Sequence, residues 1–462
     1  MTSVRPTPGT PRAYRFPQFE AHRLENGLRI IVAPVAKLPI VSLILLVDAG
    51  STGEQIRLGG IATLTARALL EGTATMPGDV LTSRVESLGA SLAADADWDV
   101  ATVGMTVMSS RLREALALVG EVVRAPAFPT RDVERLKAER LAEILQLRAE
   151  PRGLADEMLG RFVYNDASRY AAPEHGSAAS VSLLTRDEVA RFYAERYRPG
   201  AATLVVAGDV TVDDAVSMAR EAFGAWAGTT PPASTTTDLP ARRSRAVHVV
   251  DKSDAPQSEL RIGHVGVSRE HPDFFPLTVM NAVLGGLFSS RINLNLREAH
   301  AYTYGAFSGF DWRRGAGPFI VSSAVRTDVT VGAATEVLAE IDRIRAEPIT
   351  ESELSLAADY LGGVFPIRYE TVADIARALS AFVVYGLPID YFDSYRSKIA
   401  AVTIDDVQRV AREQLRPEHL QIVVVGDSAQ VRGPLEAMGF GPVTCYDAEG
   451  SILDGETQNV EK

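Results

Sequence analysis

The sequence predicts an α+β protein of two homologous domains, each a mainly antiparallel mixed sheet with helices packed on one face. Three observations predict it. LTRDEVARFYAERYRPGAATLVVAGDV, starting at Leu184, matches VTIDDVQRVAREQLRPEHLQIVVVGDS, starting at Val402, without a gap and at 11 of 27 positions. Apolar strands and long helices follow one another without strict alternation, which favours an antiparallel or mixed sheet over a doubly wound one. Between the copies lies AGTTPPASTTTDLPARRSR, a stretch rich in Pro, Thr and Ser with the composition of a linker. The expected division is 17–227, a linker at 228–245, and 246–443.

The elements follow in order. GLRIIVAPVAKLPIVSLILLVDAGS, from Gly27, reads as a strand pair leading to a helix, and AVHVVDKSDAPQSELRIGHVGVS, from Ala246, is its counterpart. LPIVSLILLV (Leu38 to Val47), the longest apolar run, is too short to span a bilayer and reads as a buried strand. SSRLREALALVGEVVRAPAF places Leu112, Leu116, Leu118, Val119, Val122 and Val123 on one helical stripe facing the core. FPTRDVERLKAER and EPITESELSLAADYL both read as Thr-capped helix starts. In the duplicated unit, Thr185 and Thr403 are N-caps with Glu188 and Asp406 in capping-box position. The helices end at the Arg-Pro pairs of Pro199 and Pro417, because proline supplies no helical N–H. TLVVAGD and QIVVVGD then form short strands. The segment before Phe16 and YDAEGSILDGETQNVEK at the end have the look of mobile tails.

Composition narrows the functional classes. Lys and Arg number 47 against 59 Asp and Glu, a net charge of −12. Nucleic-acid binding needs clustered cations, so no nucleic-acid partner is expected. The single cysteine, Cys445, makes no internal disulfide and belongs to no CxxC motif. The N-terminus carries arginines and prolines but no apolar signal core. No membrane span is expected, and the expected location is the cytoplasm, with the periplasm as the alternative.

Two strings carry the chemistry. GGIATLTARALLEGT (Gly59 to Thr73) has a glycine entry, an apolar helix and a closing Glu-Gly-Thr. VLGGLFSSRINLNLREAHAYTYGAFSGF runs from Val283 to Phe310. Together with the duplication they resemble the pitrilysin/insulinase family of metallopeptidases, in particular the short-chain branch that includes mitochondrial processing peptidase and its bacterial relatives. The resemblance runs from about Phe16 to Pro442, with Ala301 standing where the family commonly has glycine.

The resemblance implies an inverted zincin motif, H-x-x-E-H, on the first long helix. Its two histidines bind zinc from one helical face and its glutamate activates the bound water. Here Thr63 stands at the first histidine, Ala66 at the general base and Arg67 at the second histidine. Thr63 is a poor ligand, Ala66 has no base, and Arg67 brings positive charge to a cation site. The seven histidines (His22, His175, His248, His264, His271, His300 and His419) include no pair at four-residue spacing. The third family ligand, roughly 76 residues past the second histidine, falls on Glu143, and an ion pair between Arg67 and Glu143 is expected across the vacated site.

In two-chain members the partner's second domain reaches across with an arginine and a tyrosine seven residues apart. That pair maps onto Arg297 and Tyr304, with Tyr302 sharing Tyr304's face if the segment is a strand. Gly285 and Gly286 give a tight turn or a helix C-cap rather than an extended glycine loop. The resemblance therefore implies a non-catalytic subunit of a heteromeric zinc metallopeptidase from a bacterium, not an enzyme alone. It holds no cofactor of its own; the zinc is expected in a homologous active subunit bearing H-x-x-E-H. Arg297 and Tyr304 meet a peptide substrate. The alternatives are a structural scaffold, as in core subunits of the mitochondrial respiratory cytochrome complex, or a peptide-binding protein without proteolytic role.

Overall fold

The computed structural model describes residues 13–232, 234, 242 and 244–453. The linker positions 233, 235–241 and 243, the chain before 13 and the chain after 453 lie outside the described residues, as does the expectation of mobile tails there.

The first sheet comprises β1 (Glu20–Arg23), β2 (Arg29–Pro34), β3 (Ile40–Val47), β4 (Ala93–Ala96), β5 (Ala101–Met108) and β6 (Ala202–Gly208) in the order β1-β2-β6-β3-β5-β4. The second comprises β7 (Ala246–Asp251), β8 (Gln257–Val265), β9 (Ala306–Phe310), β10 (Pro318–Arg326), β11 (Gln421–Gly426) and β12 (Val443–Tyr446) in the order β12-β7-β11-β8-β10-β9. Among the described residues of the first sheet only β2 and β6 pair in parallel, and in the second β11 and β12 both run parallel to β7. The two strands of each expected strand pair, β2 with β3 and β7 with β8, are not neighbours. The duplicated strand enters between them, β6 between β2 and β3 and β11 between β7 and β8. The reason is apolarity: every residue of β6 and β11 is buried, and such strands belong at a sheet's centre.

The helices that matter below are α1 (Ile61–Ala68), α2 (Leu112–Arg124), α3 (Thr130–Ala149), α4 (Pro151–Val163), α5 (Arg186–Arg196), α6 (Phe274–Asn281), α7 (Glu351–Val364), α8 (Val372–Val384) and α9 (Ile404–Gln414). The apolar stripe of α2 is buried as its spacing requires. α5 and α9 are capped by Thr185 and Thr403, which accept from the amides of Glu188 and Asp406. Thr350 caps α7 through a full capping box with Glu353. Thr130 does not cap α3. It is already the first helical residue, and the carbonyl of Pro129 starts the helix by accepting from Asp132 and Val133.

Strands buried on both faces need cover on both, and each half supplies one helix to the other. α4, from the first half of the chain, packs on β8 and β11, where Leu154, Met158 and Phe162 meet Val250, Val423 and Val425. α8, from the second half, packs on β3 and β6, where Ile375, Leu379 and Phe382 join Leu46, Val205 and Ala207 in one core. Burying each of those three α8 side chains contributes about 1.5–3 kcal/mol. The loop between β9 and β10 adds a polar clasp: Arg314 donates to Asp48 at 2.6 Å and to the carbonyl of Val384 at 2.9 Å, and the Tyr164 hydroxyl donates to the Ala316 carbonyl at 2.8 Å. The tail read as mobile from Tyr446 onward is held by backbone hydrogen bonds as far as Leu453, although its last residues are exposed. Tyr446 closes β12 and sits against Phe162, and the amide of Leu453 returns to the Cys445 carbonyl.

Candidate functional site

α1 is entered through Gly60, whose φ of +93° is a conformation glycine adopts freely; a Cβ there would meet the His175 carbonyl oxygen at 2.7 Å. Its first turn is anchored by a buried carboxylate. Glu54 accepts from the amides of Gly60 (3.1 Å) and Ala62 (2.7 Å), which suits the positive end of a helix. Arg169 donates to the same carboxylate through Nε and Nη2 at 3.1 and 2.7 Å, and also holds the carbonyls of Ala172, Pro173 and Glu174. Helix and loop 172–176 are thereby fixed together.

On that frame, Thr63 and Ala66 are buried, and Arg67 reaches α3. Arg67 Nη1 lies 3.0 and 3.2 Å from the two carboxylate oxygens of Glu143, so the ion pair expected across the vacated positions is formed. Three neighbours escaped the sequence reading. Arg140, one turn before Glu143, donates to it at 3.0 Å and to the His175 carbonyl at 3.1 Å. His175 Nδ1 is 2.9 Å from Thr63 Oγ1. Asp95, on the edge strand β4, is 3.9 Å from Arg67 Nε. Burial alone would push the Glu143 carboxyl up; the Arg140 hydrogen bond and the Arg67 charge outweigh it and hold it below the usual carboxylate range. Burial first, then the Arg140 charge, lowers the His175 pKa and favours the neutral ring. The residual space beside Thr63 and Arg67 is ≈ 10 Å³.

This donor set does not fit zinc. Of the two carboxylates beside Arg67, that of Glu143 already carries two guanidinium groups, which repel a cation, and Asp95 also faces Arg67. Among the described residues, no group of three or more His, Cys, Asp or Glu is placed to hold a metal ion.

Arg297 and Tyr304 are built by different means. α6 runs into a π-helical turn, Ala282–Gly286, and a second π-helical segment, Leu294–Ala299, carries Arg297. Such bulges recur at functional sites. Gly285 is required by close approach, since a Cβ would meet Ser308 Oγ at 2.4 Å; the glycine pair thus ends a helix rather than forming a mobile loop. Arg297 lies over the Phe288 ring at 4.5 Å and beside Glu298 at 3.2 Å. Tyr302 and Tyr304 do not share a strand face. Ala301 takes φ +54°, the chain turns there, and β9 begins only at Ala306. Tyr302 stacks on His300, while Tyr304 is 92% exposed. Its two neighbours are clamped: Thr303 Oγ1 donates to the Ala324 carbonyl at 2.7 Å and accepts from the Gly305 amide. Asn293, fully buried, donates to the Phe288 carbonyl and accepts from the Ala306 amide, tying both sides of the loop together. Among the described residues, no hydrogen bond, ion pair or ring contact joins Arg297 or Tyr304 to the Arg67–Glu143 cluster.

The left-handed Ala301 yields a direct prediction. A Cβ in that region costs about 1–2 kcal/mol, partly offset by the lower unfolded-state entropy of alanine. Ala301→Gly should raise unfolding free energy by about 0.5–1 kcal/mol, read as a higher urea midpoint at unchanged m-value. A lower midpoint would show that the Ala301 methyl group contributes packing that outweighs the strain.

Sheet topology, exchanged helices and the frame of α1 define a peptidase fold. The Insulinase (Peptidase family M16) family model matches residues 30–172, and the Peptidase M16 inactive domain model matches residues 183–361. The chain belongs to this family, the pitrilysin/insulinase metallopeptidases, as a member without the H-x-x-E-H motif. An uncharacterized zinc protease of Mycobacterium tuberculosis is 26% identical over 89% of this chain and 93% of its own length. Cytochrome b-c1 complex subunit 1 of Bos taurus is 23% identical over 58% of this chain and 56% of its own. Among solved structures, a peptidase M16 inactive domain from Pseudomonas fluorescens superposes with a TM-score of 0.82 at 26% identity, covering 88% of this chain and 98% of that one. A protease from Helicobacter pylori shares the fold, with a TM-score of 0.81 at 19% identity over 88% and 99%. Among the described residues, no helix is long and apolar enough to cross a membrane.

Proposed function

We propose that the chain is the non-catalytic subunit of a heteromeric zinc peptidase and presents Arg297 and Tyr304 to a peptide held against an active, H-x-x-E-H-bearing partner. The observation that carries this reading is the display of Tyr304: its ring is 92% exposed while the residues on both sides are hydrogen-bonded in place. A solvent-facing tyrosine on a rigid mount gains nothing for this fold and suits a ligand. Attack on a peptide carbonyl builds charge on its oxygen, and a fixed hydroxyl donor stabilises that charge. The Arg297 guanidinium, steadied by the Phe288 ring, donates to backbone carbonyls of an extended peptide.

The test is co-expression with a homologous chain bearing the intact motif. Activity should require both chains, and Tyr304→Phe should lower kcat/KM by about 10²-fold, the usual loss for one preorganised donor. Arg297→Ala should act mainly through KM. Full activity in both variants would favour the second reading, a scaffold, which the likeness to a cytochrome b-c1 subunit supports. Cleavage by the unpartnered chain that a chelator stops would remove both readings.

A further inference from the structure

Between α8 and the face of the first sheet on which it packs runs a groove of ≈ 840 Å³. Pockets of about 300–1,000 Å³ are the usual size for bound small molecules. The floor, on β3 and β5, sets Ser42, Thr102, Gly104 and Thr106 beside the apolar Ile44 and Leu46. One wall is a single face of α8, with Ala373, Arg377, Ala381 and Val384 at helical spacing. The short side chains among them leave room for a backbone, the hydroxyls offer it partners, and Ile44 and Leu46 offer apolar contact to its side chains.

The groove is electrically lopsided along its length. Arg377, in the second turn of α8 and 66% exposed, reaches back to Asp374 in the first. Its contact with Asp374 engages one nitrogen of a five-donor group, which leaves further N–H donors for a ligand. The other end holds Asp97, whose Oδ1 accepts from the amides of Asp99 and Val100 at 2.8 Å each. Asp48, Asp99 and Asp311 lie around it against three cations, Arg269, Arg313 and Arg314. Arg313 is paired with Asp311, and Arg314 with Asp48 and backbone carbonyls. Tyr385 registers the excess: burial first, then the charges of Asp99, Asp97 and Asp311, push its hydroxyl up. From Asp374, beside which the Arg377 guanidinium lies, to Tyr385 the helix advances roughly 16 Å at ~1.5 Å per residue, the span of about five extended residues at ~3.3 Å each.

We propose that this groove binds a short extended peptide of about five residues, with its free amino group at Asp97 and a carboxylate at Arg377. The proposal rests on the reading of the chain as a peptide-handling subunit and adds a second peptide site, lined by none of the residues that display Tyr304. It supplies an anchor by charge at both ends and leaves the side chains between them loosely specified.

The probe is the pentapeptide Ala-Leu-Ala-Leu-Ala, titrated calorimetrically into the full chain without a partner. One site per chain is expected. Acetylating the peptide's amino group, or Asp97→Asn, should weaken binding about tenfold, the worth of one charge-assisted bond. Amidating its carboxyl, or Arg377→Gln, should do the same, and Ala-Leu-Ala-Leu-Glu-amide should recover the loss through its side chain. The Asp97→Asn change keeps the oxygen that accepts the loop amides, so the loop stays folded. Ala381→Trp, which sets an indole in mid-groove, should abolish binding, whereas Tyr304→Phe should leave it unchanged. Absence of binding, binding that survives Ala381→Trp, or indifference to both end modifications would overturn the proposal. Because this titration uses no partner and spares Tyr304, it fails independently of the co-expression assay.

Discussion

Arg169→Met is expected to lower the stability of the fold by about 3–5 kcal/mol at pH 8, the loss usual when one member of a buried ion pair is removed. The Glu54 side chain is fully buried, and Arg169 is nearly so. Burial pushes the Glu54 carboxyl up, while Arg169 and the amides of Ala62 and Gly60 pull it back. In the variant only the amides remain to oppose burial. A carboxyl raised in the fold contributes stability below its unfolded pKa of about 4.3 and loses it as pH rises through the folded value. The deficit should therefore be smaller at pH 4.5 than at pH 8. Glu54→Gln in the same chain removes the stranded charge and should recover much of the pH-8 loss. Urea unfolding at the two pH values reads all three proteins. An equal deficit at both would mean that the carbonyl contacts of Arg169 to loop 172–176, and not the charge, hold α1 in place.

That anchor was not legible in the sequence, and the reason is physical. Glu54 and Arg169 lie 115 residues apart, and no periodicity or spacing marks two charged residues as partners. The same holds for His175 against Thr63, 112 residues away, and for Arg140, which reads as a solvated helical charge until its neighbour is placed. What could be read was local or repeated. The Thr185 and Thr403 caps, the Arg-Pro stops and the strands after them follow from short-range chemistry stated twice. The Arg67–Glu143 pair could be anticipated only because the resemblance supplied a spacing. The Tyr302–Tyr304 strand failed at one residue, Ala301, whose left-handed turn contradicts its own propensity. The exchange of α4 and α8 was hidden for a related reason: an apolar helix shows that it is buried, not which sheet covers it.

The retained frame explains why restoring the metal takes more than restoring the histidines. Thr63→His with Arg67→His supplies the two missing ligands; Ala66→Glu would add a base, which binding does not require. Glu143 is then the third ligand, but Arg140 remains 3.0 Å from it and competes with the ion for the same oxygens. His175 must swing away from position 63, since the ≈ 10 Å³ void admits no second ring, yet a neutral imidazole does not repel the ion. The double variant should therefore bind zinc weakly. Adding Arg140→Gln, which removes the charge and keeps a donor for the His175 carbonyl, should tighten binding by about 10- to 100-fold, the range in which residues behind the ligands act. One zinc per chain by elemental analysis after dialysis, lost again on Glu143→Ala, is the expected result. Equal affinity in the double and triple variants would show that Arg140 does not guard the site. Zinc retained without Glu143 would show that the ion had found other ligands, and the charge pair between α1 and α3 would then be an ordinary surface contact rather than the occupant of a former metal position.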